Sequence, residues 1–205
     1  VSAVNNGGKT EASRSERRSE LLEIAAGLFA DRGMKSTTVR DIADSAGILS
    51  GSLYHHFDSK ESIVDEILAA FLDELFGGYR RIVDAGEDAR TTLEQLVRAS
   101  FGAIDLRHSA VAIYQDEAKH LASNPRFDYL GERAREFREL WIGVLRRGVA
   151  DGSFRPDLDV EIAFRFIRDT VWVAVRWYRP GGQRSADTIA SEYLSIVLNG
   201  ISAGT

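Results

Sequence analysis

Residues 36–62, STTVRDIADSAGILSGSLYHHFDSKES, concentrate side chains whose chemistry suits phosphates and base edges. Thr38, Ser50, Ser52 and Tyr54 carry hydroxyls, His55 and His56 carry imidazoles, and Arg40 and Lys60 carry positive charge. Spacing decides what they do together. Thr38 suits a helix N-cap, with Val39, Ile42 and Ala43 forming an apolar stripe behind it. Gly47 suits a sharp stop that needs φ > 0. The stretch 50–56 predicts a second short helix, of which only Leu53 and the following Phe57 must face inward. Ser50, Gly51, Ser52, Tyr54, His55 and His56 are then left outside. A helix so short and polar, after a tight turn, fits insertion into a DNA major groove. Gly51 weakens a helix but permits close backbone approach to DNA. Tyr54 can pack through its ring while its hydroxyl meets a phosphate oxygen. His55 and His56 diverge by about 100° on a helix, which argues against a shared metal and for DNA contact. Lys60 reads as a solvated lysine opposing a helix macrodipole or as a phosphate clamp; its surroundings favour the clamp.

These groups need elements to hold them, and the composition points to helices. The chain has 205 residues, 44% hydrophobic, with three prolines and few β-branched alternating runs. That predicts an all-α, two-domain fold with a real core. There is no cysteine, so disulfides and thiolate metal sites are excluded. The strongest apolar run, residues 171–175, is too short to span a bilayer, and the first twenty residues hold no apolar signal segment. The expectation is a cytoplasmic protein without a membrane partner.

Net charge is −5. Residues 1–60 hold eight Lys/Arg and eight Asp/Glu, so bulk attraction to DNA is weak there. Affinity must come from local placement: Arg14, Arg17, Arg18, Arg40 and Lys60.

The expected organisation is a disordered arm over 1–13, a DNA-binding domain over 14–60 and a second helical domain over 61–205. Leu21, Ile24, Ala25, Leu28 and Phe29 share one face of a first helix that stops at Gly33. Asp58-Ser59-Lys60-Glu61 reads as the cap of a long helix running to about Ala85. Further helices are expected near 91–106, 109–122, 127–150, 159–179 and 186–202, punctuated by Pro125, Gly152, Pro156 and Pro180-Gly181-Gly182.

A second chemical pattern lies in DVEIAFRFIRDTVWVAVRWYRPGG, residues 159–182. On a continuous helix, Ile162, Phe166, Val173, Ala174 and Trp177 fall on one side. Arg165, Arg168, Trp172, Arg176 and Arg179 fall on the other. The stripe reads equally as a solvated face or as a pocket wall. In the second reading Arg meets phosphate or carboxylate and Trp packs on a planar group. If the stripe is only solvated, a pocket is to be sought between helices near Tyr114 and Phe137.

The motif over 38–61 closely resembles the helix-turn-helix of TetR-type transcriptional regulators. It matches at Thr38, Arg40, Ile42, Ala43, Ala46, Gly47, Gly51, Ser52, Leu53, Tyr54, His56, Phe57, Ser59, Lys60 and Glu61. It departs at Leu49, where that family has a capping Ser, so Ser50 is expected to take over the cap. The stretches IYQDEAKHLASNPRF, FRPDLDVEIAFRFIRDTVWVAVRWYRPGG and GILSGSLYHHF further resemble actinobacterial TetR-type repressors of steroid ring degradation. The resemblance implies a homodimer on a palindromic double-stranded operator, with the last two helices pairing as a four-helix bundle. It also implies release by a coenzyme A thioester of a partly degraded steroid, with no resident cofactor or metal.

The other readings are a helical acyl-CoA-processing enzyme, a TetR-type regulator of another lipid or small-molecule pathway, and an architectural DNA binder. Against the enzyme, the chain shows no Gly-x-Ser-x-Gly and no His/carboxylate constellation, and no catalytic residue is assigned. Against the architectural binder stands the near-neutral charge of residues 1–60.

Overall fold

The computed structural model describes residues 7–201. Among them lie nine α-helices: α1 Gly7–Arg32, α2 Val39–Ser45, α3 Ser50–Leu53, α4 Lys60–Asp84, α5 Ala89–Leu106, α6 His108–Leu121, α7 Tyr129–Ala150, α8 Val160–Val173 and α9 Ala186–Ile201. Short 3-10 turns precede α7 at Pro125–Phe127 and follow α8 at Ala174–Arg176. The chain divides into two compact units after Ala69, inside α4, rather than near residue 60.

The first unit buries Leu21, Ala25 and Phe29 of α1, Ile42 and Ala43 of α2, Leu53 of α3, Phe57, and Ile63, Val64 and Leu68 of α4. Its turns are set by side-chain caps. Thr38 Oγ1 accepts from Asp41 N at 3.1 Å, and the Asp41 carboxylate accepts from Thr38 N at 2.7 Å, a reciprocal capping box. The Thr38 hydroxyl, which also donates to the Asp41 carboxylate, and then the Thr38 N–H hold that carboxyl below the usual carboxylate range. Ser59 and Ser62 cap α4 in the same reciprocal way, each hydroxyl accepting from the other's N–H at 3.1 Å. Gly33 and Gly47 take φ of 80° and 65°, as the two helix stops require.

α1 starts at Gly7, so residues 7–13 of the expected arm are helical. Lys9, Glu11, Ala12 and Arg14 are good helix formers, and extending an existing helix costs little. The expectation for residues 1–6 lies outside the described residues.

In the second unit α5 packs against α6, α7, α8 and α9. Buried Tyr79 of α4 shares a 2.6 Å hydrogen bond with Ser100 of α5, whose hydroxyl also donates to Leu96 O at 2.7 Å. Burial drives the Tyr79 hydroxyl pKa far above its usual value. Gly148 of α7 accommodates the ring of Phe154: a Cβ there would sit 2.2 Å from Phe154 Cδ2.

α8 departs from the expected pattern. Its helix ends at Val173 and tightens into the 3-10 turn. Phe164, Ile167 and Val171 are buried, and Trp172 is 7% exposed; Ile162, Phe166 and Trp177 are more than half exposed. The helix carries two apolar stripes, one formed by 162, 166 and 173 and one, about 180° away, by 164, 167 and 171. Periodicity alone cannot say which faces the chain's own core.

The clash at residue 148 gives a direct check. Gly148→Ala should destabilise the chain by about 1–3 kcal/mol through overpacking against Phe154, measured as a lowered urea midpoint.

Candidate nucleic-acid interface and ligand cavity

The sequence motif folds into a surface with the expected side chains outward. Leu53 and Phe57 are buried, while Gly51, Tyr54 and His55 are exposed and Ser50, Ser52 and His56 half-buried. α3 is shorter than 50–56, but the winding continues: His56 N donates to Leu53 O at 2.9 Å and Phe57 N to the same carbonyl at 3.0 Å. Leu49, 80% exposed, is the N-cap and makes no side-chain cap bond. Ser50 is therefore the first helical residue and does not take over the cap. Burial first, then the charges of Arg14, Arg18 and Arg17, lower the His56 pKa. A Cβ at Gly51 would meet nothing within 4 Å, so the fold itself does not require glycine there.

The cations divide into two groups. Arg14 is exposed, and Arg40 is open to solvent with a loose 3.6 Å ion pair to Asp44. Lys60, Arg18 and Arg17 are engaged inside the unit. Lys60 Nζ donates to Met34 O at 2.6 Å and Thr37 O at 3.1 Å, tying the α1–α2 turn to the start of α4. These carbonyls, 26 and 23 residues back along the chain, engage the ammonium expected to act as a phosphate clamp. Arg18 donates to the carboxylate of Glu66, through Nε at 3.2 Å and through Nη2, and its Nη1 donates to His56 O. Its guanidinium also lies 4.3 Å from the Phe57 ring centroid. Arg17 donates to Ala46 O at 2.9 Å and pairs with Glu20 at 2.5 Å. The Thr38 hydroxyl is used in the α2 capping box, donating to Asp41 Oδ2 at 2.6 Å. Sequence spacing held no signal for these long-range carbonyl partners.

The second unit contains a cavity of about 250 Å³. Its walls are Phe71, Leu72, Leu75 and Phe76 of α4, Tyr114 and Gln115 of α6, Ala134, Phe137 and Arg138 of α7, and Phe164, Arg168 and Trp172 of α8. The lining is a box of rings. Phe137 lies 5.9 Å from Phe164, 6.3 Å from Trp172 and 6.4 Å from Phe76, and Phe71 lies 6.5 Å from Tyr114 and 6.4 Å from Trp172. Burial raises the Tyr114 hydroxyl pKa, partly offset by the charge of Arg168. Arg168 sits 5.5 Å from the Phe164 ring centroid and pairs with Asp169 at 2.7 Å.

Two alternatives thus merge into one site: Arg168 and Trp172 face the same cavity as Tyr114 and Phe137. The rest of the arginine stripe does not join them. Arg165 is exposed, Arg176 pairs with Asp116 at 3.3 Å, and Arg179 donates to Tyr178 O at 3.2 Å. The helix ends before 176 and 179, so their projected angles do not hold. Sequence spacing does not single out Arg138 or the α4 rings, which the fold brings into the same lining. The α4 pattern reads as ordinary core, and only the position of Arg138 beside Phe137 hinted at it. Among the described residues no group of His, Asp and Glu is placed to hold a metal, and no helix is long and apolar enough to cross a membrane.

Lys60→Met should destabilise the first unit by about 1–2 kcal/mol through loss of its carbonyl bonds, read as a lowered urea midpoint. An unaltered midpoint with a shallower salt dependence of DNA binding would instead mark a phosphate contact.

Comparison with known proteins agrees with this anatomy. Residues 21–67 match the family described as "Bacterial regulatory proteins, tetR family", and residues 86–201 match "Tetracyclin repressor-like, C-terminal domain". The HTH-type transcriptional repressor KstR2 of Rhodococcus jostii (strain RHA1) is 70% identical over 190 residues, 93% of each chain. The repressor of that name in Mycolicibacterium smegmatis is 59% identical over 94% of each chain. A solved structure described as the ketosteroid transcriptional regulator KstR2 of Mycobacterium tuberculosis superposes with a TM-score of 0.90 at 58% identity, covering 92% of this chain and 96% of that one. With both halves matched and close relatives spanning nearly its whole length, the chain belongs to the TetR family of bacterial transcriptional regulators, which are not enzymes.

Proposed function

We propose that the protein is a cytoplasmic, homodimeric repressor that binds a palindromic operator and is released by a coenzyme A thioester of a steroid ring-degradation intermediate. The observation that carries this reading is the cavity of the second unit, aromatic on its walls and cationic at Arg168. A fused-ring skeleton suits an enclosure of rings. A coenzyme A thioester adds phosphates for a guanidinium. Trp172 packs on the flat part of the ligand, and Arg168 meets its anionic part. The names borne by the relatives, a repressor and a ketosteroid regulator, support the same reading.

On the DNA side, Arg14, Arg40, Ser50, Ser52, Tyr54, His55 and His56 contact the operator, with Gly51 letting the backbone approach. The exposed apolar stripe of α8, Ile162, Phe166 and Val173, together with Ile196 of α9, is the natural cover for a second copy. Two recognition helices then read half-sites about one DNA turn apart. Release requires the thioester to bind the DNA-incompetent state more tightly.

The test replaces Arg168 by Met and Trp172 by Leu together, removing charge and indole while keeping apolar bulk. The variant should bind operator but resist release by a steroid-derived thioester that frees the parent. Release at the parent's concentration would overturn the assignment. Phe166→Glu tests the cover: it should be monomeric at micromolar concentration by analytical ultracentrifugation and lose its footprint on an inverted repeat.

A further inference from the structure

Arg138 is the second cation in the cavity wall, and it is occupied. Its Nη2 donates to Glu161 Oε1 at 2.5 Å, and Arg146 reaches the same oxygen at 3.7 Å. Glu161 sits in the first turn of α8, beyond the Asp159 cap, so the contact closes α7 onto α8 beside the cavity. Arg133 of α7, by comparison, is 25% exposed and bonds both Asp73 and Glu136. Glu161 is shared between two arginines, and the side chains of Arg138 and Glu161 are 49% and 38% exposed. An ion pair so open to water contributes little, and a phosphate or carboxylate that meets the guanidinium in a fork displaces it readily.

We propose that Glu161 is a built-in competitor for the ligand's anionic group: it holds Arg138 in the ligand-free protein and yields it when an anion enters the cavity mouth. Arg138 is then a ligand-binding residue beside Arg168, and Glu161 sets the concentration at which the ligand binds. The inference rests on the proposed acyl-CoA reading and adds a direction to it. Removing the carboxylate strengthens binding, because the guanidinium is freed to meet the ligand's anion.

Calorimetric titration tests this with three probes: a steroid-derived coenzyme A thioester that releases the parent, coenzyme A alone and the free steroid acid. Glu161→Gln should bind at least one of them about three- to tenfold more tightly than the parent. Arg138→Met should bind the same probe about tenfold more weakly. In Arg138→Met/Glu161→Gln the gain should vanish, since it acts through Arg138. A gain with coenzyme A alone identifies a phosphate as the anion, and a gain with the free acid identifies the ligand's carboxylate. Operator binding without thioester, and the thermal midpoint, report the folded fraction. Arg138→Lys and Glu161→Ala serve as second variants if either first one folds poorly. Parent-like or weaker binding by folded Glu161→Gln overturns the proposal, as does a gain that survives loss of Arg138. If no thioester binds the parent, the acyl-CoA reading itself fails, which is a separate result.

Discussion

Phe137 is the side chain around which the second unit is organised. Its ring lies within 6.4 Å of five others: Phe76, Tyr79, Trp141, Phe164 and Trp172. Only Trp141 is stacked on it; the others meet it tilted or edge-on. Rigid rings in tilted contact hold the helices apart more stiffly than aliphatic chains, which would fold into the gaps. One side of the cluster is closed by Tyr79, Trp141 and the Tyr79–Ser100 hydrogen bond. The other side opens onto the cavity. Core and cavity are two faces of a single aromatic assembly, drawn from α4, α7 and α8.

The first unit is held differently. Its small core is supplemented by side chains that reach carbonyls: Lys60 to the α1–α2 turn, Arg18 to the end of the recognition winding, Arg17 to the end of α2. Such charge-assisted bonds fix loops that have little apolar surface to bury. Over residues 1–60, where eight Lys/Arg stand against eight Asp/Glu, they leave only part of the positive charge facing outward. Arg40 and Arg14 then carry more of the proposed electrostatic contact with DNA than a count of arginines suggests.

What was legible in the sequence follows from the range of each interaction. The turn motif is local, so Thr38, Gly47, Leu53 and Phe57 announced their roles through spacing alone. Some helix limits were equally readable, among them the stop at Gly33, whereas the start of α1 and the ends of α3 and α8 were not. Roles that depend on partners far along the chain were not. Lys60 looked like a surface cation because its acceptors, Met34 and Thr37, are carbonyls that every residue possesses. α8 hid its orientation because both of its stripes are apolar. Arg176 and Arg179 leave the stripe because the helix gives way to a 3-10 turn at Ala174, which Val173 and Ala174 do not advertise. The cavity itself was half visible, as Arg168 with Trp172 and separately as Tyr114 with Phe137, and only packing joined the two halves.

Position 51 shows the bare protein and its complex under opposing demands. A methyl group there touches nothing in the chain. Alanine in a helix is favoured over glycine by roughly 0.5–1 kcal/mol. Judged by folding alone, the present residue is the worse choice, and the recognition winding is left looser than it has to be. In the proposed complex the missing methyl group becomes clearance, and DNA rather than the protein supplies the order that the glycine withholds. The site is thus a small reserve of unclaimed stability: a stiffer α3 is one atom away, at the expense of the surface it presents.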